Sequence, residues 1–221
     1  MPAKWDYGGA IDRWPVEMGK PIVYPDGSTL LCKDLTKGEV PEFMKQVDIL
    51  FVDGPWNLGN LKSFYTKADE KCSVHEFSEF YCSLFSCIKN INPKLCYLEI
   101  GKEFVGDYIV KLKRLYRYVT LYNSGYYHKK ENRCYVVQGS NKRLNLHLDD
   151  MDEEDIIDRL GDVTEGSRGD LCMGRGLVAR SAAKRGRRFF GTELNPKRLA
   201  VCVERLAKMG VTPVEGIGDA S

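Results

Sequence analysis

The segment Asp53-Gly54-Pro55-Trp56 has the residue types best suited to chemistry in this sequence. It follows the apolar run 47–52, so a buried strand would bring an acidic side chain, a backbone carbonyl and an aromatic ring together at its end. Such groups can hold a flat base that carries an amino group. The plainer interpretation is a turn that ends a strand, with the tryptophan packed in the core. The segment alone does not decide between the two.

A second motif lies further along the chain, at Gly174 and Gly176. These glycines open a G-x-G-x-x-A pattern at the start of a predicted helix, and Glu193 follows about 20 residues later at the end of a predicted strand. Glycines let a backbone approach a ligand closely, and a carboxylate at the next strand end can accept hydrogen bonds from ribose hydroxyls. The pattern predicts a cradle for a nucleotide-containing cofactor, with a surface acid as the alternative interpretation of Glu193.

The position of this cradle constrains the topology. After Glu193 there is room for one helix and a tail, whereas a doubly wound sheet needs several more strands. The remaining strands must therefore come from earlier in the chain, which indicates a circularly permuted arrangement. In that arrangement the strand ending in Asp53 would lie beside the cofactor.

Hydrophobic periodicity predicts the elements that position both motifs. Strands are expected over 29–33, 47–52, 94–100, 117–124, 133–138 and 188–193, the fourth and fifth forming a hairpin. Helices are expected near 41–45 and over 74–90, 101–115, 149–160, 177–184 and 196–209. Irregular structure is expected over 1–28, in a polar loop from 57 to about 71, and in an acidic and glycine-rich connector over 141–168. The pattern is α/β in a single domain over 1–221.

The motifs resemble those of the S-adenosylmethionine-dependent amino methyltransferases. The segment 53–56 is similar to their D-P-P-[YWF] motif, 170–176 to D-P-F-x-G-x-G, 193–196 to E-x-[ND]-P, and 31–34 to a short G-D segment. The order, with the catalytic motif first, is that of the permuted β-class DNA adenine and cytosine-N4 enzymes. The resemblance implies a Rossmann-like methyltransferase domain with a mostly parallel, doubly wound sheet and an antiparallel hairpin on its C-terminal side.

The resemblance also implies roles for particular residues. The catalytic residues would be Asp53, Gly54, Pro55 and Trp56. The residues binding S-adenosylmethionine would be Asp34, Asp170, Cys172, Gly174, Gly176, Glu193 and Asn195. Residues predicted to contact nucleic acid are Asn57, Tyr127, Lys129 and Lys130. No metal site is predicted.

Several substrates and functions stay open. Methylation of adenine N6 in DNA is the first choice, because an acidic first motif residue resembles the adenine enzymes. Cytosine N4, RNA adenine and a protein glutamine amide are alternatives within the same chemistry. A nicotinamide-dependent oxidoreductase would need a hydride-transfer site. A homologue without catalytic activity, binding nucleic acid or a partner, is favoured by Gly54 in place of proline and by the polar residues 164–169 where the family has an apolar strand.

Composition bounds these possibilities. The chain has 221 residues and a formal net charge of +2, so overall charge does not demand a nucleic-acid partner, although basic residues cluster over 111–117 and 175–188. None of the eight cysteines has C-x-x-C spacing, and neither a signal peptide nor a membrane span is predicted. We expect a cytoplasmic protein with a DNA or RNA substrate, and target recognition by loops, a homodimer partner or a separate specificity subunit.

Overall fold

A sheet of nine strands organises residues 7–126 and 129–218, which the computed structural model describes. The strands are β1 Pro21–Val23, β2 Thr29–Cys32, β3 Ile49–Asp53, β4 Leu95–Ile100, β5 Tyr118–Tyr126, β6 Lys129–Ser140, β7 Met151–Asp152, β8 Arg168–Asp170 and β9 Phe189–Glu193. Their order across the sheet is β1-β2-β9-β8-β3-β4-β6-β5-β7. The cradle strands β8 and β9 therefore lie between β2 and β3.

The strand directions match the predicted fold class. The five strands from β2 through β9, β8 and β3 to β4 are all parallel to one another. Strand β6 is antiparallel to both β4 and β5, and β1 is antiparallel to β2. The prediction of a mixed α/β fold with a mostly parallel sheet and a hairpin is confirmed.

Seven α-helices cover the two faces of the sheet within the described residues. They are α1 Ala10–Arg13, α2 Leu58–Lys67, α3 Phe77–Ile91, α4 Val105–Leu112, α5 Glu153–Val163, α6 Leu177–Lys184 and α7 Pro196–Ala207. Helices α2, α3 and α4 pack on the face that carries Leu50 and Val52 of β3. Helices α5 and α6 pack on the face that carries Ile49 and Phe51, and α7 joins α6 over β2 and β9. Because successive strand residues point to opposite faces, β3 is buried on both sides.

Some predicted irregular regions are regular, and those predictions were wrong. The supposed polar loop after residue 57 contains α2, which the Asn57 side chain caps and which buries Leu61 and Tyr65 at helical spacing. The supposed irregular segment 1–28 contains α1 and β1 among its described residues. The hairpin strands are longer than predicted, while α4 is shorter than the predicted helix over 101–115.

The last two residues of the polar segment 164–169, Arg168 and Gly169, belong to strand β8, so the predicted connector ends one residue earlier, at 167. Position 169 in β8 requires glycine because Val47, which precedes β3, leaves no space for a side chain: an added Cβ would lie 2.5 Å from Val47 Cγ2. Arg168 is buried but donates hydrogen bonds to the Gly166 and Thr164 carbonyl oxygens. Hydrogen-bonded polar groups can line a core strand, so polarity alone misled the prediction.

Among the helices of residues 7–126 and 129–218, none combines the length and the apolar character that crossing a bilayer requires.

Candidate active site

An acidic residue lies at or next to the carboxyl end of each of the five central parallel strands. These residues are Asp34 after β2, Glu193 in β9, Asp170 in β8, Asp53 in β3 and Glu99 in β4. The carboxyl ends of parallel strands meet at one edge, where open α/β sheets bind their ligands. Two cavities open there, with empty volumes of about 490 and 1560 Å³, and both are lined by Asp53 and Cys172. The sequence predicts four of these five acids as site residues, and Glu99 is not among the four.

The glycine loop between β8 and α6 has the backbone shape of a cradle. Gly174 and Gly176 have φ angles of +56° and +78°, in the left-handed region that favours glycine. Gly176 also packs closely against α7, where an added Cβ would overlap with Cys202 Sγ. The two glycines thus let the loop turn and let the helices approach one another.

Glu193 fixes the shape of this loop. One carboxylate oxygen accepts a hydrogen bond of 2.6 Å from the Gly174 backbone N–H, and the other accepts one of 2.9 Å from Asn195 N–H. The side chain of Asn195 caps α7 through Lys197 N–H and donates to the Lys67 carbonyl oxygen. In the described structure, Asn195 is therefore engaged with the backbone around the cleft.

Asp34 lines the smaller cavity and is held by its neighbours. It accepts hydrogen bonds from Thr36 N–H at 2.9 Å and from the Tyr65 hydroxyl at 2.8 Å, and Lys37 pairs with it at 3.3 Å. Burial alone would raise the pKa of Asp34, but these hydrogen bonds outweigh it and lower the pKa below its usual value. Asp34 is thus an oriented anion at the cavity wall.

Asp170 and Cys172 lie deeper in the cleft. The Asp170 carboxylate accepts a hydrogen bond of 2.8 Å from Cys172 N–H, which holds the start of the loop. Burial raises the pKa of Asp170 well above its usual value, and the nearby Asp53 and Glu193 add to the effect. Burial likewise raises the pKa of the Cys172 thiol, so this cysteine is a packing group and not a reactive thiolate.

The segment Asp53-Gly54-Pro55-Trp56, called the tetrad below, faces this loop across the cleft. An added Cβ on Gly54 would lie 3.5 Å from Cys172 Sγ and 3.5 Å from Phe80 Cζ, which are ordinary contact distances. Packing therefore does not demand glycine at position 54. The Trp56 ring lies against Gly101, where an added Cβ would approach Trp56 Cε3 to 3.0 Å. Gly101, which follows β4, thus makes room for the tryptophan.

Sequence reasoning missed two acids beside Asp53. Side-chain oxygens of Asp53, Glu99 and Glu153 all lie within 4.8 Å of one another. Burial raises the pKa of Glu99 well above its usual value, followed by the charges of Asp53 and Glu153. Burial and then Asp53 raise the pKa of Glu153 to about 8. The detectable signal was Glu99 itself, a lone carboxylate in the otherwise uncharged strand β4.

Basic residues form another wall of the larger cavity. Arg175, Arg180, Arg198 and Arg205 all line it. Burial lowers the pKa of Arg205, and its neighbours Arg180 and Arg175 lower it further because the three positive charges repel one another. Such a wall can bind an anion.

The residues predicted to contact nucleic acid are only partly described. Asn57 directly follows Trp56 and caps α2, where its side chain accepts a hydrogen bond of 2.9 Å from Asn60 N–H. Tyr127 lies outside the described residues. Lys129 and Lys130 begin β6 at the end of the hairpin.

Comparisons with known proteins place the fold. No protein-family model matches the sequence, and no curated protein matches it significantly. Among solved structures, TTHA0409 from Thermus thermophilus, named provisionally as a DNA modification methylase, matches with a TM-score of 0.53 at 16% identity, over 81% of this chain and 94% of that one. M1.HpyAVI matches with a TM-score of 0.51 at 12% identity, over 80% of this chain and 97% of that one. This chain shares their fold.

The matched structures include complexes with S-adenosylmethionine. One is TTHA0409 with S-adenosyl-L-methionine, at a TM-score of 0.51 and 16% identity, and another is M1.HpyAVI with SAM, at 0.51 and 13% identity. At such low identity the likeness establishes the fold alone. Function has to be argued from the site, because one fold hosts many activities.

Proposed function

We propose that this protein is an S-adenosylmethionine-dependent methyltransferase that acts on an exocyclic amino group, with adenine N6 in DNA as the favoured substrate. The observation that carries the proposal is the pairing of β3 with β8. It brings the tetrad at the end of β3 against the glycine cradle at the end of β8, with Gly54 next to Cys172. An amine-binding motif and a nucleotide-type cradle thus share one cleft.

The cleft suits the proposed cofactor. The smaller cavity is lined by Asp34, Glu193 and Leu194, so it offers two carboxylates and an apolar side chain to a nucleoside. Glu193 would bind the ribose hydroxyls, because each of its oxygens keeps a lone pair after accepting one backbone hydrogen bond. Asp34 would face the adenine ring, and the loop through Gly174 would lie close to the rest of the cofactor.

The chemistry follows from the groups of the tetrad. S-adenosylmethionine, when bound, supplies an electrophilic methyl group on a sulfonium centre. The substrate amine is a weak nucleophile because its lone pair is delocalised into the base. Asp53 and the Gly54 carbonyl would each accept one N–H hydrogen bond, which favours a pyramidal nitrogen and stabilises the positive charge that develops there. Trp56 would stack on the base and hold it in the cleft.

A base in duplex DNA would have to leave the helix to reach Asp53. Extrusion costs a few kcal/mol, which stacking on Trp56 partly offsets. The arginine wall of the larger cavity would bind backbone phosphates. From the sequence, Lys129 and Lys130 are proposed as further phosphate contacts. The name of TTHA0409 as a DNA modification methylase supports DNA as the polymer. Cytosine N4 and RNA adenine are the alternatives within the same chemistry, and a homodimer partner or separate subunit would supply further specificity.

The test is transfer of a radiolabelled methyl group from S-adenosylmethionine to separate pools of DNA, RNA and protein. We expect label in DNA, and N6-methyladenine after digestion to nucleosides. Label in N4-methylcytosine or in RNA would correct the substrate and keep the reaction. Calorimetric titration with S-adenosylmethionine and with NAD checks the cofactor separately. Binding of NAD in preference would overturn the proposal, and binding of neither would favour the non-catalytic homologue.

A further inference from the structure

Glu99 is a buried acid to which the proposed reaction assigns no role. It lies in β4 with 1% of its surface exposed, and among the described groups only the Cys134 thiol, a weak donor, is placed to stabilise its carboxylate by a hydrogen bond. An ionised carboxylate in such a place would lose its hydration and gain only this weak hydrogen bond in return. Glu99 is therefore expected to keep its proton.

The groups around Glu99 reinforce this expectation. Asp53 is its register partner in β3, and Glu153 approaches from the start of α5. The negative charge of Asp152 in β7 also raises the pKa of Glu99, whereas the hydrogen bond from the Cys134 thiol of β6 lowers it. Three carboxylates within 4.8 Å cannot all be ionised at moderate cost. The most buried of the three, Glu99, is the one that most favours the neutral acid.

A neutral acid has an O–H group that needs an acceptor. Asp53 is the neighbour best placed to accept it, because β3 and β4 pair in parallel with Asp53 opposite Glu99. We propose that Glu99 is a positioning residue which stays protonated and donates a hydrogen bond to the Asp53 carboxylate, so that the other Asp53 oxygen faces the substrate amine. The inference rests on the proposed function of Asp53.

The proton balance of the reaction is consistent with this role. The amine nitrogen forms a bond to the methyl carbon, the carbon–sulfur bond breaks, and its electron pair stays on sulfur. The nitrogen then carries one proton too many, which passes to the Asp53 oxygen that faces it and from there to solvent. Glu99 keeps its own proton throughout and never touches the reacting atoms.

Infrared spectroscopy tests the protonation state without cofactor or substrate. In the difference spectrum of wild type minus Glu99→Gln at neutral pH, we expect the carbonyl stretching band of a protonated carboxyl. If Glu99→Gln does not fold, the spectrum of Glu99→Met is subtracted from that of wild type instead. Absence of the band overturns the inference. In Asp53→Asn the band should titrate at a pH lower by about one unit or more, because a neighbouring anion is gone. An unchanged midpoint would overturn the contact with Asp53.

Kinetics then tests the positioning role. Glu99→Gln keeps a neutral donor, so its kcat should stay within roughly threefold of wild type, whereas Glu99→Met should lose at least about tenfold, the effect of one hydrogen bond to a charged group. The Kd for S-adenosylmethionine should not change in either variant. Equal rates for Glu99→Met and wild type would contradict the role. If the wild type transfers no methyl group, the proposed function fails, and the infrared result still decides the state of Glu99.

Discussion

Replacing Gly176 with alanine should destabilise the protein strongly, and its cost can be estimated from two separate effects. The first is conformational: a φ of +78° costs a residue with a Cβ about 1–2 kcal/mol. The second is steric: the new Cβ would overlap with Cys202 Sγ and would lie 2.9 Å from Cys202 Cβ. Overpacking of this kind costs about 1–3 kcal/mol. The sum is about 2–5 kcal/mol, a large part of a typical domain's stability.

The matched control is Gly186→Ala. Gly186 also has a positive φ, +61°, but nothing lies within 4 Å of an added Cβ. This variant should show only the conformational cost of about 1–2 kcal/mol. Equilibrium unfolding in urea would measure both variants. Adding Cys202→Ala to Gly176→Ala removes the overlapping sulfur. The double variant should therefore lose less free energy of unfolding than the sum of the losses in Gly176→Ala and Cys202→Ala alone. A loss for Gly176→Ala no greater than that for Gly186→Ala would refute the close packing of the cradle against α7.

Three further variants test two of the acids around the cleft and the hydrogen bond that joins Ser167 to Asp48. Because burial and Asp53 raise the pKa of Glu153 to about 8, the folded state holds this proton more tightly than the unfolded state, and the free energy of unfolding should fall between about pH 4.5 and 8. In Glu153→Gln, urea unfolding at a series of pH values should show a smaller fall over this range. The same pH dependence in Glu153→Gln and wild type would count against the raised pKa. Ser167→Ala should cost about 1–3 kcal/mol in the same assay, because the buried hydroxyl accepts a hydrogen bond from Asp48 N–H and clamps β8 to β3. Tyr65→Phe removes a donor to the Asp34 carboxylate and should cost about 1.5–3 kcal/mol at neutral pH, with a smaller cost in acid as Asp34 gains a proton; a cost independent of pH would contradict that hydrogen bond.

The parts of the fold that could be predicted had local signals strong enough to decide their structure. Helix α6 has the predicted bounds because Gly176 starts it and apolar residues follow at helical spacing. The end of β3 at Asp53 follows from an apolar run broken by Gly54 and Pro55. The cradle was predictable because left-handed backbone at Gly174 and Gly176 leaves a glycine signature in the sequence.

The parts that could not be predicted depend on partners distant in the chain. Strand β8 has a polar sequence that contains glycine, and it is a core strand because it pairs with β3 on one side and β9 on the other. Helix α2 was predicted as a loop because polar residues and Gly59 separate its apolar residues, and because an asparagine such as Asn57 is as common in turns as at helix N-termini. The grouping of Glu99 with Asp53 and Glu153 joins three separate elements, so sequence spacing could not reveal it. The permuted motif order and the roles of the individual site residues stay predictions.

The most direct measurement of the central claim is the initial rate of methyl transfer from S-adenosylmethionine to DNA by wild type and by Asp53→Ala. Glu39→Ala is the matched control, since it also removes a carboxylate but at an exposed position between β2 and β3. We predict that Asp53→Ala loses at least about a hundredfold in rate, as expected for a group that stabilises charge in the transition state. Glu39→Ala should equal wild type, and Asp53→Ala should still bind S-adenosylmethionine. Methyl transfer that survives in Asp53→Ala at the wild-type rate would contradict the account.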